Sequence, residues 1–514
     1  MKLSLLTDAI DSVLDAAYER SRLLGGLDPE VASIHYRSDK VTPGGLFVAV
    51  RGQRTDGHRY VSDAIARGAV AVIVEQEVST DSNISVIRVR DARKALALAA
   101  ARFYDTPSDK LVMIGITGTN GKTTIAYLIE QILDHENIPT GVIGTINYRY
   151  DGKTFDNPLT TPEALELQQI LAEMVAAGVT HVVMEVSSHG IELDRLRGCL
   201  FDIAVFTNLT QDHLDFHHDM AAYWKAKKRL FTEYLHPKTA KGKPCAVINV
   251  KDQKGHELAA MINHCPVIRV GEDPKCAVFP ENTGFDETGI QAEIQTTDGS
   301  FSISSKLVGR FNLENILCAA GVGIALGLPL DGIKTGIDTF STIPGRLERI
   351  SDVSGRFVFV DYAHTPNALE NVLETLREVN AGRLVCVFGC GGDRDTDKRP
   401  KMGEIAGRLS DLVVITSDNP RTEPPLKIIE AIRIGTHRVV PRQLSAEELE
   451  GGWSSPAYVV EPDRQKAIYL GIQAAKPGDT VLIAGKGHET YQIVGTEILP
   501  FDDRKIAEQG LSLN

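Results

Sequence analysis

The chain has 514 residues, a length beyond which a single hydrophobic core stops growing, so we expect three or four domains. With 43% hydrophobic and 24% charged residues, its composition is typical of a globular protein and argues against disorder. The formal net charge of −13 argues against a general nucleic-acid binder, because binding to phosphate backbones needs a basic surface.

Cysteine usage and the apolar segments predict a cytoplasmic protein. The seven cysteines form no Cys-x-x-Cys pair and are typical of reduced thiols. Asp8 and Asp11 interrupt the apolar run at the amino end, which argues against a signal sequence. The longest uncharged apolar stretch, residues 316–330, is too short and too rich in glycine to predict a membrane span.

Three regions follow one another along the chain. The first hundred residues alternate short strands with a helix and predict a small α/β domain. From residue 111, apolar β-branched runs alternate with segments of helical period, which is typical of a doubly wound parallel sheet. A second series of such runs predicts a separate Rossmann-like α/β domain. The expected domains are 1–107, 108–342 and 343–514, and the expected strands are 46–50, 69–74, 111–117, 181–186, 203–207, 246–250, 357–361, 384–389, 412–417, 458–462 and 480–485.

A glycine-rich turn follows the first strand of the middle region. The sequence GTNGKTT at 118–124 is expected to gather backbone amides and a helix N-terminus around one point, which favours an anion. Lys122 would supply a mobile positive charge for the outer phosphates of ATP, and Thr123 a hydroxyl for Mg²⁺. The alternative, an ordinary strand-to-helix turn, leaves the lysine and the two threonines unexplained. Phosphate binding alone names no reaction.

The five strands expected in the last third each run into a polar cluster. Ligands of open parallel sheets lie beyond the carboxyl ends of the strands, so five clusters on one edge predict a binding site. Arginines, a lysine and carboxylates occur together there, which suits a zwitterion such as an amino acid. The clusters are Asp361 to His364, Asp393 to Asp395, Asp418 to Arg421, Asp463 with Arg464, and Lys486 to Glu489.

Polar residues also follow the strands of the middle region. Glu185 and His213 are expected to contact a divalent ion, and these ligands favour Mg²⁺, which usually keeps several waters and the substrate phosphates. The zinc alternative needs a closed set of ligands, for which His213, His217 and His218 are the candidates. We expect magnesium.

Seven motifs in this sequence resemble those of one family, the Mur ligases of peptidoglycan synthesis. They are GTNGKTT at 118–124, MEVSSHG at 184–190, TNLTQDHLDFH at 207–217, YWKAKKRLF at 223–231, GRFNLENILCAA at 309–320, PGRLER at 344–349 and DYAHTPNALENVL at 361–373. They occur in the family's order and cover nearly the whole chain.

Four further segments resemble the branch of the family that adds the third amino acid. They are SDKVTPGGLFVAVRGQRTDGH at 38–58, CGGDRDTDKRP at 390–400, DNPR at 418–421 and GKGHE at 485–489. The short GTNGKT turn also occurs in folylpolyglutamate synthetases, which lack the amino-terminal uridine-binding domain and the DNPR cluster. A folate-type ligase is therefore the weaker fit, and a nucleotide-binding scaffold without catalysis is a third alternative.

The resemblance implies an ATP-dependent ligase. ATP would phosphorylate the free carboxylate of UDP-N-acetylmuramoyl-L-alanyl-D-glutamate to an acyl phosphate, which an incoming amine attacks with release of phosphate. Charge builds on phosphoryl and carbonyl oxygens, so cations and Mg²⁺ should carry most of the stabilisation. The implied partners are small molecules, with no nucleic acid and no membrane span, and we expect a monomer.

The resemblance also implies which residues hold ATP and metal. Lys227 matches the lysine that is carbamylated in this family, although the residues alone favour a solvated basic helix face formed by Lys225, Lys227, Lys228 and Arg229. The expected ATP-binding residues are Gly118, Thr119, Asn120, Gly121, Lys122, Thr123, Thr124, Asn312, Asn315, Arg346 and Asp361. The expected catalytic residues are Lys122, Lys227, His213 and Glu185, and the metal ligands are Thr123, Glu185, His213 and carbamylated Lys227.

The nucleotide-linked dipeptide is implied to bind the first two domains. Its expected contacts are Thr160, Thr161, Ser187 and Arg195 for the muramoyl dipeptide, and Ser38, Gln53, Arg54 and Thr55 for the uridine end. Here the chain departs from the family pattern, because the usual Asp-Ser-Arg triplet is replaced by Arg37-Ser38-Asp39. The family pattern is therefore carried over to Ser38 and not to its two neighbours.

The amino acid added at this step is either meso-diaminopimelate or L-lysine, which differ by one distal carboxylate. A carboxylate in a partly dry pocket needs a cation, and Arg421 at the end of DNPR is suited to that role. DNPR resembles the diaminopimelate-adding type, which we expect here, with the lysine-adding type as the nearest alternative. The expected pocket comprises Arg394, Asp418, Asn419, Pro420, Arg421, Gly485 and Glu489.

Overall fold

The structure is a computed structural model. It describes residues 1–14, 28–52, 55–80, 83–212, 214–235, 244–450, 452–453 and 456–512. The chain divides into two compact units, each described by itself below. The first unit comprises Met1–Phe279, Thr296–Asp298 and Leu317–Gly336, and the second comprises Pro280–Gln295, Gly299–Ile316 and Ile337–Asn514.

The first unit begins with a small parallel sheet of four strands in chain order. The strands are β1 (Ser33–His35), β2 (Gly45–Val48), β3 (Ala69–Val74) and β4 (Ser85–Arg88). Their apolar residues are buried against the helices of the same region, as expected for a small α/β domain. The helices are Leu3–Ala9, Val61–Ala66 and Ala92–Phe103, with 3-10 turns at Asp11–Val13, Ser38–Lys40, Gly57–Tyr60 and Pro107–Lys110.

A larger, mostly parallel sheet forms the rest of the first unit. Its strands are β5 (Val112–Thr117), β6 (Thr140–Ile143), β7 (Asn147–Tyr150), β8 (Lys153–Asp156), β9 (His181–Glu185), β10 (Ile203–Phe206), β11 (Cys245–Asn249) and β12 (Val267–Val270). They lie in the order β12-β11-β10-β5-β9-β6-β7-β8, and only the β6–β7 and β7–β8 pairs are antiparallel. The central strands are buried almost throughout, because helices cover both faces of such a sheet.

Helices connect these strands in the doubly wound pattern that the sequence predicts. Asp219 illustrates how they begin, since its side chain accepts a hydrogen bond from Ala222 N at the start of Met220–Arg229. The helices are Lys122–His135, Ala164–Ala176, Ser188–Glu192, Leu214–His217, Met220–Arg229 and Gln253–Met261, with a π-helical turn at Leu230–Tyr234. Arg310–Ala325 and Leu330–Thr339 each contain residues of both units.

The second unit contains the separate sheet that the sequence predicts. Its strands are β16 (Glu348–Ile350), β17 (Phe357–Asp361), β18 (Leu384–Phe388), β19 (Leu412–Ile415), β20 (Gln443–Leu444), β21 (Ala457–Val460) and β22 (Thr480–Ala484). They lie in the order β16-β17-β22-β18-β19-β21-β20, parallel except for β16. The helices are Pro366–Val379, Lys398–Leu409, Pro425–Val439, Ala446–Glu450, Arg464–Ala474 and Asp503–Ser512.

Two smaller groups of strands complete the fold. Strands β13 (Val278–Asp286), β14 (Gly289–Thr296) and β15 (Gly299–Ser305) pair in chain order, and β23 (Tyr491–Val494) and β24 (Glu497–Pro500) form an antiparallel hairpin. All seven cysteines are free thiols and six of them are buried, as expected from their spacing. Among the described residues, no helix combines the length and the apolar character needed to cross a membrane.

Candidate active site

The first unit gathers its polar loops at one edge of the larger sheet. Strands β6, β9, β5, β10 and β11 are neighbours and parallel, so their carboxyl ends share that edge. The segments that leave these ends contain most of the residues expected to hold nucleotide, metal and the muramoyl dipeptide. The topology therefore agrees with a ligand site beyond the carboxyl ends of the strands.

The phosphate loop, residues 118–121, joins β5 to the helix Lys122–His135. Gly118 and Gly121 have φ angles of +148° and +89°, a region that favours glycine. A Cβ atom at Gly118 would lie 1.8 Å from Thr207 Oγ1, so no side chain fits there. The helix begins directly after the loop, and the amides of its first turn are available in the arrangement that binds anions.

The end of β10 holds this loop in shape. Asn120 N donates to Asn208 Oδ1 and Thr119 N to the Asn208 carbonyl, both at 2.9 Å, and Thr207 Oγ1 donates to the Asn120 carbonyl at 2.6 Å. Two amides of the turn are thus engaged within the protein, which differs from the expectation that the whole turn offers its amides to an anion. Sequence reasoning missed Asn208, although its place directly after a predicted strand was a usable signal.

Lys122 lies across the phosphate loop. Its ammonium donates to the carbonyls of Gly118 at 3.0 Å and Thr119 at 2.8 Å. Thr123 and Thr124, which follow it in the first turn of the helix, are both buried. A positive charge and the start of a helix therefore face the same loop, as the sequence predicts.

Lys227 is buried beside the same loop. Its side chain is only 1% exposed, its Nζ donates to the Gly118 carbonyl at 2.7 Å, and it lies 4.4 Å from the centre of the Tyr223 ring. Burial, together with the nearby charge of Lys122, lowers the pKa of Lys227 well below its usual range. The interpretation as a solvated helix face is therefore wrong for Lys227, although it holds for the exposed Lys225.

Glu185 lies at the end of β9 and is 1% exposed. It accepts hydrogen bonds from Thr123 Oγ1 at 3.0 Å and from Thr145 N and Oγ1 at 2.9 Å each. Thr145 Oγ1 also lies 3.1 Å from Thr160 Oγ1. A carboxylate next to a hydroxyl is a hard oxygen pair that fits Mg²⁺, provided that waters and phosphates complete its shell. Thr145 was missed by sequence reasoning.

Of the three histidines considered for zinc, His217 and His218 lie within the described residues, and His217 has other partners. His217 is buried, with its Nε2 2.9 Å from Ser188 Oγ, and its ring packs against His189. Within the described part of the chain, no group of three or more His, Cys, Asp or Glu side chains could hold a metal ion. The choice of magnesium over zinc stays a prediction, since His213 lies outside the described residues.

Three of the four residues expected to hold the muramoyl dipeptide form one hydrogen-bonded network. Thr161 Oγ1 donates to the Glu185 carbonyl and accepts from Ser187 N, both at 3.0 Å. Arg195 donates to the Thr161 carbonyl at 2.9 Å and to Glu163 Oε1 at 2.7 Å. Thr160 lies next to Thr145, which donates to the Glu185 carboxylate, whereas the other three residues reach the Glu185 backbone carbonyl through Thr161. The structure therefore brings all four predicted residues together around Glu185.

The altered triplet in the amino-terminal region forms a local ion pair. Arg37 and Asp39 lie 2.8 Å apart and are both more than half exposed. The hydrogen bond between them raises the pKa of Arg37 and lowers the pKa of Asp39, so both stay charged. Ser38, between them, begins the 3-10 turn Ser38–Lys40. The exchanged charges therefore satisfy each other across Ser38.

Three predicted residues, Gln53, Arg54 and His213, lie outside the described residues. Thr55, the remaining residue expected at the uridine end, is exposed and donates from Oγ1 to the hydroxyl of Tyr60 at 3.2 Å. The predicted uridine contacts are therefore placed only in part.

In the second unit, Asp361 and Arg346 are neighbours. Asp361 is buried at the end of β17 and accepts hydrogen bonds from Leu347 N at 2.6 Å and Ala363 N at 2.7 Å. Burial raises the pKa of Asp361, and the charge of Arg346 opposes this shift. The Arg346 guanidinium lies 4.6 Å from the centre of the Tyr362 ring, within range of a cation–π contact.

Asn312 and Asn315 lie one turn apart on the helix Arg310–Ala325. Both are buried, and Asn315 Nδ2 donates to Asn312 Oδ1 at 2.9 Å. Asn312 Nδ2 in turn donates to the Val308 carbonyl at 2.9 Å. The two amides expected near adenine are thus oriented by each other and by the helix start.

The polar clusters of the second unit lie at one edge of its sheet, as the sequence predicts. Strands β17, β22, β18, β19 and β21 are consecutive neighbours and all parallel. Their carboxyl ends therefore meet at the same edge, and the loops that leave them bring together residues far apart in the chain, such as Tyr362 and His488. This edge holds every residue expected to bind the incoming amino acid.

The DNPR loop is shaped by the hairpin of β23 and β24. Arg421 has a φ angle of +52°, and its backbone donates to the Ile493 carbonyl at 3.0 Å and accepts from Gly495 N at 2.7 Å. Arg421 Nη1 donates to the Gly392 carbonyl at 2.8 Å. A Cβ atom at Gly392 would lie 1.9 Å from the Pro420 carbonyl oxygen, so glycine is needed for the two loops to approach. Sequence reasoning did not foresee the role of the hairpin.

Acidic groups of the pocket lie next to this loop. Asp418 is buried, and a Cβ atom at Gly485 would lie 2.7 Å from Asp418 Oδ2, so Gly485 makes room for the carboxylate. Asn419 Nδ2 donates to Glu489 Oε2 at 2.8 Å. Arg394 is exposed on the neighbouring loop and donates to the carbonyl of the preceding residue at 3.3 Å. Both signs of charge therefore occur together, as a zwitterionic ligand requires.

Two buried cations near the pocket were not singled out for a role from the sequence. Lys486 lies between Asn419 and Glu489, and Arg464 forms an ion pair with Asp503 at 2.7 Å in which neither side chain is exposed. Both residues belong to polar clusters visible in the sequence. The sequence pattern does not reveal that their charges are buried rather than directed at solvent or ligand.

Three family models match consecutive parts of the chain. They are the Mur ligase family catalytic domain at residues 30–104, the Mur ligase middle domain at 116–323, and the Mur ligase glutamate ligase domain at 345–487. Together they span most of the chain in the order that the motifs indicate.

Curated relatives match almost end to end. The UDP-N-acetylmuramoyl-L-alanyl-D-glutamate–2,6-diaminopimelate ligase of Geobacter metallireducens is 48% identical over 481 residues, which cover 94% of each chain. The ligase of the same name from Caldanaerobacter subterraneus is 40% identical over 493 residues, which cover 96% of this chain and 97% of the relative.

Solved structures share the fold over similar lengths. A structure of UDP-N-acetylmuramoyl-L-alanyl-D-glutamate–2,6-diaminopimelate ligase covers 99% of this chain and 98% of its own, at 30% identity and a TM-score of 0.68. MurF ligase from Thermotoga maritima in complex with ADP covers 96% of this chain at 18% identity and a TM-score of 0.60. Folylpolyglutamate synthase from Mycobacterium tuberculosis covers only 76%, at 21% identity and a TM-score of 0.60. The last two likenesses concern the fold alone.

Proposed function

The chain belongs to the Mur ligase family, and from this membership we propose that it joins meso-2,6-diaminopimelate to UDP-N-acetylmuramoyl-L-alanyl-D-glutamate in the synthesis of peptidoglycan precursors. It is an ATP-dependent amide-forming ligase, and the relatives at 40 to 48% identity are named for this reaction. The observation that carries the choice of amino acid is the pocket at the edge of the second sheet, where the charges of Arg421, Asp418 and Glu489 all lie close enough to Tyr491 to affect it.

The phosphate loop and the first turn of the following helix would hold ATP. Lys122 lies close enough to the loop to contact the outer phosphates, and the helix N-terminus favours their charge. Mg²⁺ fits the oxygen pair of Thr123 and Glu185, with His213 and modified Lys227 as further ligands. When bound, the ion would neutralise phosphate charge.

The acid substrate would be held by the network around Glu185. Thr160, Thr161, Ser187 and Arg195 offer hydroxyls and a guanidinium for its peptide and carboxylate groups. The D-glutamyl carboxylate attacks the γ-phosphorus of ATP, ADP leaves, and the amine then displaces phosphate from the acyl phosphate. Both steps concentrate negative charge on oxygen, which the ammonium of Lys122 would stabilise.

The environment of Lys227 supports its modification to a carbamate. Carbamylation needs a neutral amine, which adds to CO₂ and releases a proton. A buried lysine with a lowered pKa supplies such an amine at neutral pH, whereas an exposed lysine does not. The product would carry an anionic group beside the phosphate loop, where it is able to bind Mg²⁺.

Other parts of the assignment stay predictions. They include the domain boundaries at 107/108 and 342/343, the cytoplasmic location, the monomeric state and the uridine contacts of Ser38, Gln53, Arg54 and Thr55. Asn312, Asn315, Arg346 and Asp361 are proposed for the nucleotide on the basis of the family resemblance. Asn312, Asn315 and Asp361 are buried, and Arg346 is half-buried beside Asp361.

The proposal is tested by ADP release from ATP in the presence of the nucleotide dipeptide and either meso-diaminopimelate or L-lysine. We expect wild-type protein to use diaminopimelate at least about 100-fold better, because Arg421 pairs with a distal carboxylate that lysine lacks. Arg421→Ala should lower kcat/KM for diaminopimelate about 30- to 100-fold and leave the KM for ATP unchanged.

Arg433→Ala is the matched control, since Arg433 is a partly exposed arginine on a helix of the same unit and pairs with Glu430. It should retain wild-type kinetics. Equal use of the two amino acids by wild-type protein, or unchanged kinetics of Arg421→Ala, would contradict the assignment. A lysine preference would establish the lysine-adding alternative instead.

A further inference from the structure

We propose that Lys486 is a positioning residue of the amino-acid pocket, which orients Asn419 and Glu489 to receive the ammonium group on the distal carbon of the ligand. This inference rests on the proposed function. Lys486 follows Gly485 directly after β22. The sequence pattern counts it among the mixed charges of the site, but neither that pattern nor the family resemblance assigns it a role of its own.

Lys486 is a buried cation with two polar partners. Its side chain is 0% exposed, and Nζ donates to Asn419 Oδ1 at 3.1 Å and to Glu489 Oε2 at 3.0 Å. Burying an ammonium group is costly unless its hydrogen bonds are satisfied. The two acceptors are the very groups expected to contact the ligand, so the position of the cation and the shape of the pocket depend on each other.

The carboxamide of Asn419 has only one suitable orientation here. Its Oδ1 accepts from Lys486 Nζ and from Ile493 N, the latter at 3.0 Å. Its Nδ2 therefore faces Glu489 Oε2, to which it donates at 2.8 Å. A flipped amide would place NH₂ against two donors and oxygen against a carboxylate, so Lys486 and the hairpin together select the observed state.

Glu489 is held by the same arrangement. Its Oε2 accepts from both Lys486 and Asn419, yet a carboxylate can accept about four hydrogen bonds, so capacity for a ligand donor is left. The Glu489 side chain is 17% exposed. Without a cation at Lys486, turning toward solvent would cost less than staying as an unpaired charge in the pocket.

The charges around the pocket favour one additional cation. Three carboxylates, Asp418, Glu489 and Asp503, accompany two cations, Lys486 and Arg464, and Arg464 interacts with all three carboxylates. Arg421 also lies in the pocket and is assigned to the distal carboxylate of the ligand, so one negative charge is left among the other five groups. A single ammonium group balances it, whereas a ligand without that group leaves the charge uncompensated.

The test compares diaminopimelate with 2-aminopimelate, which keeps the distal carboxylate and lacks the distal amine. Full-length wild-type protein and Lys486→Met are assayed for ADP release with both amino acids. We expect Lys486→Met to reduce the preference for diaminopimelate, measured as the ratio of the two kcat/KM values, by about 10-fold or more. The KM for ATP should change less than about 2-fold, since the nucleotide does not depend on this network.

Lys466→Met is the matched control, because Lys466 is an exposed lysine of the same unit, and it should leave the ratio unchanged. A loss of the same factor for both amino acids would show a merely structural role and overturn the proposal. An unchanged or increased preference for diaminopimelate in Lys486→Met would overturn it as well.

A second pair of variants tests whether Lys486 acts through Glu489. In the Glu489→Gln background, Lys486→Met should alter the ratio less than about 3-fold, because the group that it positions is already neutral. This double variant contains no unpaired carboxylate at Glu489, so it remains informative if Lys486→Met alone fails to fold. A further 10-fold change of the ratio in the double variant would overturn the proposal for Lys486. If wild-type protein showed no diaminopimelate-dependent ADP release, both the proposal for Lys486 and the proposed function would be wrong.

Discussion

The phosphate loop and the amino-acid pocket are built in different ways. The loop draws most of its groups from seven consecutive residues, and its geometry follows from two glycines and a helix start. The pocket draws on three separate loops, held together by β23 and by buried charges at Lys486 and Arg464. A local motif tolerates changes elsewhere, whereas a pocket assembled at long range depends on residues that never touch the ligand.

The largest expected effect concerns Lys227, which has a local sequence signature but a function that depends on burial. Lys227→Met should lower kcat about 100- to 1,000-fold with little loss of stability, because the amine is removed and an apolar side chain suits the buried position. Labelling with ¹³C-bicarbonate followed by NMR should show a carbamate in wild-type protein and none in the variant.

Lys225→Met provides the control for this prediction. Lys225 is exposed two residues away on the same helix, so its loss should leave both the rate and the carbamate signal unchanged. Full activity of Lys227→Met would mean that the burial of this lysine serves the fold alone.

The next effect concerns Arg464, a buried residue that links the two loops of the pocket that begin after Ser417 and Ala484. It donates to the carbonyls of Ser417 at 3.2 Å and Ala484 at 3.0 Å, and pairs with Asp503. Arg464→Met should destabilise the second unit by about 3 to 5 kcal/mol, because Asp503 is left buried without a partner. Urea unfolding followed by the fluorescence of Trp453, in a Trp224→Phe background, would measure the change.

The double variant Arg464→Met/Asp503→Leu sharpens the comparison. It replaces both charges by apolar groups and should regain most of the lost stability. Arg433→Met, which removes one partner of a partly exposed pair, should cost less than about 1 kcal/mol. If Arg464→Met were as mild as Arg433→Met, the pocket would not depend on its buried charges.

The smallest expected effect is a pH dependence of stability from His488. Burial, together with the charges of Arg346, Arg504 and His364, lowers the pKa of His488 from 6.5 to about 4. The unfolded chain therefore binds a proton first as the pH falls. This contribution to stability is complete above pH 6.5 and is lost between pH 6.5 and about 4.

The free energy of unfolding of the wild-type protein should fall between pH 7 and pH 4.5, and His488→Gln should remove about 1 to 2 kcal/mol of that fall. This value is smaller than the full pKa shift gives, because solvent screens the partly exposed ring. The measurement is the unfolding midpoint in urea at several pH values, again with Trp453 as the probe. His437→Gln, at an exposed site, should keep the wild-type slope. The same slope in all three proteins would exclude His488 as its source.

Much of the molecule could be predicted from the sequence because its signals are local. Apolar β-branched runs identified strands such as Val112–Thr117 and Phe357–Asp361 to within a residue or two, since a strand buried on both faces leaves a continuous apolar stretch. The phosphate loop was recognisable because glycines, a lysine and a helix start are consecutive. The polar clusters after parallel strands predicted an edge site because parallel strands end on the same side.

Only the tertiary structure decided which charged side chains are buried and which residues they bond to. Lys225 and Lys227 look alike in the sequence, but packing beside the phosphate loop buries one and leaves the other in solvent. Thr145, Asn208 and Lys486 acquire partners from segments 40 to 88 positions away. Contacts of that range depend on how strands are ordered in a sheet, and the free energy of a buried charge depends on its neighbours in space rather than along the chain.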